Sequence, residues 1–293
     1  MRSVKSSVQG WITAAACLAV GIVIGLLGLN AAWPQEPAEP RLDEEFAKQE
    51  KIYRGRGADA TSGYITSRGL SDYVALLPSG FCNTLAKLGS ADRWLDIGAG
   101  AGLAILDYYS LTKCARRGVK ARAVAMSIED RRTDAWTKQA ARLGDDRLRY
   151  LTGKRLRHYS PEELGKFQMI TDVYGGFSYT EDLSQFVEKV LSLLETNGVF
   201  YTMLQSVHLE DGKDQPDTAY QTELLDPASS NVKVCSWLKK ISCVKVACES
   251  SSDWTPTERI NIRKVCSDVS VPRMKLLKFE AGNPPNRRFQ LEP

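Results

Sequence analysis

The sequence predicts an α/β fold: a mostly parallel sheet with helices on both faces and an antiparallel strand pair at one edge. Three observations carry this. From about residue 90, short apolar runs alternate with segments of helical period. A glycine-rich turn stands where a strand passes into a helix, at Gly98, Gly100 and Gly102. Late in the chain, Val244 to Glu249 and Arg259 to Val265 alternate apolar and polar residues, as strands with one solvated side do.

The chain opens differently. Trp11 to Trp33 carries no charge, and about 20 apolar residues suffice to cross a bilayer. Arg2 and Lys5 precede it. A single-pass membrane anchor is the preferred reading. A cleaved signal peptide is the alternative, although Leu29 or Asn30 stands where cleavage wants a small residue. Residues 34–52 include PQEPAEPRLDEE and read as an exposed, stiff linker. Residues 53–293 then form the folded domain.

Within it, Leu70 to Leu88 suggests one or two covering helices. Arg93 to Ile97 is a strand, Leu103 to Arg117 a helix stopping at Gly118, and Ala121 to Ile128 a second strand. Arg131 to Leu143 reads as a helix, Leu148 to Leu151 as a third strand and Phe167 to Val173 as a fourth. Leu183, Phe186, Val187, Val190, Leu191 and Leu194 fall at steps of three and four, an apolar helical stripe. Thr180 is the expected cap and Gly198 the expected close. Val199 to Leu204 is a fifth strand, and Asn231 to Ile241 a helix.

Composition bounds the function. The chain has 293 residues, 43% hydrophobic and 25% charged, which is ordinary for a globular protein. Its net charge of +4 is spread among interleaved acids, too small a bias to argue for nucleic acid. Seven cysteines form no C-x-x-C and only two histidines exist, so no metal site is expected. Cys235, Cys243, Cys248 and Cys266 cluster near the end. They pair as disulfides if the domain is exported and stay as buried thiols if it is cytosolic; the sequence leaves the pairing open.

The chemistry is carried by Leu95-Asp96-Ile97-Gly98-Ala99-Gly100-Ala101-Gly102. Glycines there admit close approach of a ligand to the backbone. The dinucleotide fingerprint G-x-G-x-x-G would need glycine at 103 or 105, which are Leu103 and Ile105. A P-loop would need Lys-Ser or Lys-Thr after the glycines, and neither is present.

LDIGAGAG resembles the first motif of class I S-adenosylmethionine-dependent methyltransferases, and LSLLETNGVFYTML is similar to that family's helix, glycine turn and fifth strand. The resemblance spans roughly Tyr64 to Val265. It implies a Rossmann-like, seven-stranded sheet, S-adenosyl-L-methionine as cofactor and methyl transfer as the reaction. By that resemblance Gly98, Ala99, Gly100 and Gly102 form the cofactor loop, and Asp96 orients the amino-acid end of the cofactor. Ser127 occupies the usual place of the ribose-binding acid, so Glu129 takes that role. The turn after the fourth strand faces the methyl group. Asp172, there to accept a proton or hydrogen-bond an amine, also touches the cofactor. Tyr174 and Tyr179 shape the pocket, and His208 after the fifth strand is a second candidate base. Asp172, Tyr174 and His208 are thus the catalytic candidates. Arg68, in the stretch Tyr64 to Arg68, is placed to pair with the cofactor carboxylate. The turn is not of the Asn/Asp-Pro-Pro-Tyr type, so a nucleic-acid base is not favoured as acceptor. The acceptor expected is a small molecule, a lipid-like compound or a membrane-proximal protein.

Location is in tension. Arg2 and Lys5 put the N-terminus in the cytosol and the domain across the membrane. A cofactor made in the cytosol points to the opposite side, which is slightly preferred. The competing reading is a non-catalytic binding or scaffold protein on the same fold, exported.

Overall fold

The computed structural model describes residues 42–54, 67–110, 114, 120–144, 146–205, 222–251 and 257–293. The expected anchor over residues 11–33 lies outside the described residues. Among the described residues no helix is long and apolar enough to cross a membrane.

The helices are α1 (Leu42–Arg54), α2 (Leu70–Leu76), α3 (Phe81–Lys87), α4 (Leu103–Ser110), α5 (Asp134–Leu143), α6 (Pro161–Leu164), α7 (Gly176–Tyr179), α8 (Leu183–Leu193) and α9 (Val234–Leu238). The strands are β1 (Arg93–Ile97), β2 (Arg122–Met126), β3 (Leu148–Leu151), β4 (Phe167–Asp172), β5 (Leu194–Gln205), β6 (Thr222–Leu225), β7 (Val244–Ser251), β8 (Thr257–Lys264), β9 (Met274–Glu280) and β10 (Asn286–Leu291). A seven-stranded sheet runs in the order β3-β2-β1-β4-β5-β8-β7, and a second sheet in the order β6-β10-β9. The first five strands of the large sheet are parallel; β8 and β7 are antiparallel, with Val199 opposite Arg263 and Val246 opposite Ile262.

The sheet is buried on both faces because each face meets an apolar layer. Successive side chains of a strand point to opposite faces. Trp94 of β1 therefore joins Leu70, Tyr73, Ile105, Tyr108 and Trp136 on the face of α2–α5. Leu95 and Ile97 join Phe186, Val187, Val190 and Leu191 of α8 on the other.

Several expectations are corrected. From Leu42 onward the expected linker is helix α1. Its Gln49 exchanges hydrogen bonds with Gly282 (3.1 and 2.9 Å), and buried Glu45 accepts from the Ala281 N–H (2.7 Å). Phe46 meets Phe279 edge-on at 5.1 Å. Docking supplies the partners that a Pro- and acid-rich stretch does not advertise. Asp182 rather than Thr180 caps α8, accepting from the Gln185 N–H at 2.8 Å. Gly198 falls inside β5, which begins at Leu194, with left-handed Asn197 (φ 68°) just before it. The helix expected over Asn231 to Ile241 is only α9. The small sheet has no counterpart in the sequence reading. Its strands β9 and β10 carry many charges, and β6 borrows its register from β10.

The described cysteines pair as Cys82–Cys114, Cys235–Cys248 and Cys243–Cys266. The second ties α9 to β7, and the third ties the residue before β7 to the segment after β8. Cys17 lies outside the described residues.

Candidate functional site

A cleft opens at the carboxyl ends of β1, β2, β3 and β4, the end of an open α/β sheet where ligands bind. Its floor is set by glycine. Gly98 has φ +73°, and a Cβ there would stand 2.5 Å from the Gly175 Cα. The loop after β1 and the loop after β4 thus touch backbone to backbone, which no other residue would permit. Gly98 and Gly100 both line the cleft. Gly102 and Ala99 do not. Gly102 is a glycine for packing, since a Cβ there would lie 2.4 Å from the Trp136 ring. The Ala99 N–H donates to the Met126 carbonyl (2.9 Å) and locks the loop to β2.

Asp96 is fully buried beneath this loop. It accepts from the Tyr73 hydroxyl (3.0 and 2.9 Å) and from the Thr171 hydroxyl (2.7 Å), which in turn accepts from the Trp94 indole (2.8 Å). Burial pushes its carboxyl up to about 7, against the pull of the Thr171 and Tyr73 hydrogen bonds. The side chain anchors α2 under the loop and does not line the cleft.

Asp172 is likewise absent from the residues that line the cleft. It is fully buried, and its oxygens accept from the N–H groups of Gly175 (2.9 Å) and Phe177 (3.0 Å). Burial raises its carboxyl to about 7, opposed by those N–H groups and by Arg287. Asp172 is the clamp of the turn that carries Tyr174. Buried Arg287 braces the same turn by donating to the carbonyls of Phe177 (3.1 Å) and Thr180 (2.7 Å).

Tyr174 does reach the cleft. Its φ of 54° is an outlier for a bulky residue, held by the Asp172 clamp on one side and the Gly98–Gly175 contact on the other. Burial raises its phenol above the ordinary value, and the Arg68 guanidinium sits 4.6 Å from its ring centre. Arg68 lines the cleft as well; Tyr64, at the start of the same stretch, lies outside the described residues. Tyr179 lines it too, and its hydroxyl donates to Asn283 at 2.7 Å.

Glu129 and Ser127 both stand at the rim after β2. Glu129 is paired with Arg131 at 2.7 Å, its side chain 23% exposed. Met126, Ile128, Leu156 and Phe186 supply an apolar wall. His208 lies outside the described residues.

Other lining residues were not singled out in the sequence. Tyr53 of α1 and Asn283 of the β9–β10 connection reach the cleft from distant parts of the chain. Lys154, Arg155 and Arg157 line the cleft together with Lys189 of α8. Glu181 sits between the two arginines. Burial works to raise its carboxyl, but the hydrogen bond from Arg157 and the charges of both guanidinium groups hold it below the usual range. The run of basic residues was visible; its facing a cavity depends on the fold.

No family model matches the sequence, and no curated protein matches it. Among solved structures, the chain is similar to the 1,6-didemethyltoxoflavin-N1-methyltransferase of Burkholderia thailandensis, crystallised with 1,6-didemethyltoxoflavin and S-adenosylhomocysteine. Identity is 16%, the TM-score is 0.43, and the match covers 79% of this chain and 92% of that one. It is also similar to an rRNA methylase from Streptococcus thermophilus, at 12% identity and TM-score 0.39, over 63% of this chain and 94% of that one. Independently of these likenesses, the order β3-β2-β1-β4-β5-β8-β7 with a glycine loop after β1 is the Rossmann-like, seven-stranded arrangement that the resemblance to class I S-adenosylmethionine-dependent methyltransferases implies.

Proposed function

We propose that the cleft binds S-adenosyl-L-methionine and that the protein transfers its methyl group to a small or lipid-like acceptor. The observation that carries this is a convergence at the strand ends. Gly98 and Gly100, both in left-handed conformation, stand beside the Glu129 carboxylate and an apolar wall. These residues fit the cofactor. The backbone at Gly98–Gly100 admits its amino-acid portion, Arg68 is placed for its carboxylate, Glu129 can accept from the ribose hydroxyls, and Met126, Ile128 and Leu156 can cover the adenine. When bound, the cofactor supplies a methyl group already activated on a sulfonium.

The protein's part is then to orient the acceptor and exclude water. Tyr174 and Tyr179 are placed for that. A phenol raised by burial stays protonated near neutral pH, so Tyr174 donates a hydrogen bond or orients a nucleophile and is not a base. Both oxygens of Asp172 already accept backbone N–H groups, which supports a positioning role for it.

Equilibrium dialysis of the full-length protein against labelled S-adenosylmethionine tests this reading. Binding is expected, and Glu129→Gln should weaken it about tenfold, or about 1.4 kcal/mol. Equal affinities would remove Glu129 from the site, and no binding by the folded wild type would overturn the assignment.

We infer further that residues 11–33 tether the domain as a single-pass anchor, on the side of an oxidising compartment. The three disulfides support this side, because such bonds persist there and are rare in the cytosol. It is also the side that Arg2 and Lys5 indicate, and it reverses the slight preference for the cytosol. The same disulfides favour a second reading, a non-catalytic binding protein on this fold, since an oxidising compartment lies apart from the cofactor's site of synthesis. Cofactor binding separates the two.

A further inference from the structure

The cleft carries more positive charge than a sulfonium cofactor calls for. Among the described lining residues, Arg68, Arg131, Lys154, Arg155, Arg157 and Lys189 are cationic, against the carboxylates of Glu129 and Glu181. S-adenosylmethionine bears a sulfonium and an ammonium against one carboxylate, so a surplus of cations beyond Arg68 works against it unless another group supplies negative charge.

The surplus is concentrated at the β3–α8 end. Arg155 and Arg157 share one carboxylate, Glu181, with Arg155 at 3.3 Å. The Lys189 ammonium donates to the neutral Tyr159 carbonyl at 2.5 Å; exposed Glu162 and Glu163 act on it only at longer range. Lys154 pairs with Glu163 at 3.0 Å, a contact about half exposed on both sides and weak for that reason. Arg155 lies 5.4 Å from the Tyr53 ring centre and is 28% exposed. Two guanidinium forks beside two ammonium groups match an oxyanion of two charges better than a single carboxylate.

We propose that Lys154, Arg155, Arg157 and Lys189, which follow β3 or stand on α8, form a subsite for a phosphate group in the cleft. That the phosphate is carried by the methyl acceptor rests on the proposed function; the subsite itself does not. Binding there exchanges the shared Glu181 contact for direct guanidinium–phosphate hydrogen bonds.

The test is calorimetric titration of the full-length protein, disulfides intact, with inorganic pyrophosphate, inorganic phosphate and glycerol 3-phosphate. Wild-type protein is expected to bind pyrophosphate, more weakly as salt rises. The double variant Arg157→Gln/Lys189→Gln should lose at least tenfold in affinity while binding S-adenosylmethionine as before. Lys154→Gln, on a half-exposed side chain, provides a second, milder loss should the double variant fold poorly. No pyrophosphate binding by folded wild type, unchanged affinity in the variants, or one-for-one displacement of S-adenosylmethionine would each overturn the subsite. Glycerol 3-phosphate binding at least as tightly as free phosphate supports an ester-borne group. A tenfold preference for the free ion would overturn the acceptor assignment and leave the subsite to a free phosphate. Failure of S-adenosylmethionine alone to bind, with pyrophosphate still bound, contradicts the methyl-transfer reading and not the subsite.

Discussion

Burial pushes Asp96 and Asp172 up to about 7, whereas an unfolded aspartate titrates near 3.9. Between those values the folded protein holds protons that the unfolded chain releases. Their contribution to stability is therefore full below about pH 4, falls as pH rises and levels off above about pH 7. Asp96→Asn keeps an acceptor for Tyr73 and Thr171 and removes one of the two titrations. Urea midpoints at pH 5 and pH 8 should differ less in the variant than in the wild type; the same difference in both would contradict the assignment. Gly98→Ala tests the floor of the cleft. Its Cβ would stand 2.5 Å from Gly175 at a positive φ, so a loss of about 1–3 kcal/mol is expected in denaturant titration. That Asp96 and Asp172 stand near the cleft was legible in the sequence only as proximity to a motif. Tyr73, Thr171 and the Gly175 and Phe177 N–H groups that take up their oxygens come from other elements or from a turn whose shape the sequence does not state.

Elements with a clean period were readable. The stripe from Leu183 to Leu193 is apolar because that face of α8 packs into the core layer over the sheet. β7 and β8 alternate because they pair antiparallel at the sheet's edge. What failed to announce itself were elements held by partners distant in sequence. α1 is stabilised by Gly282 and Ala281, more than 230 residues away, and β6, β9 and β10 by each other. The capping of α8 gives a sharp check at this scale. Asp182→Ala should cost about 1 kcal/mol, and Thr180→Ala much less, because only the Asp182 carboxylate accepts from the Gln185 N–H. Equal losses in thermal unfolding would return the cap to Thr180.

At the scale of the whole molecule, all six described cysteines are paired, with sequence separations of 32, 13 and 23. Closing loops of that size restricts the unfolded chain by roughly 2–4 kcal/mol each. Reductant should lower the melting temperature steeply, and thiol labelling of the denatured, unreduced protein should find at most one free cysteine. Three or more free thiols would remove the argument for an oxidising compartment. The strand order brings Tyr53, the glycine loop, Glu129, the Lys154–Arg157 wall and Asn283 around one opening, although they span more than 220 residues. The motif LDIGAGAG located the opening; the basic wall and the α1 contribution needed the fold. The central claim is that this opening is a cofactor cleft. It is tested most directly by isothermal titration of the full-length protein with S-adenosylmethionine, beside Gly100→Arg. Micromolar binding by the wild type, abolished in a variant that stays folded, is the result predicted. A folded wild type that takes up no cofactor, or a variant that binds as well as the wild type, would contradict it.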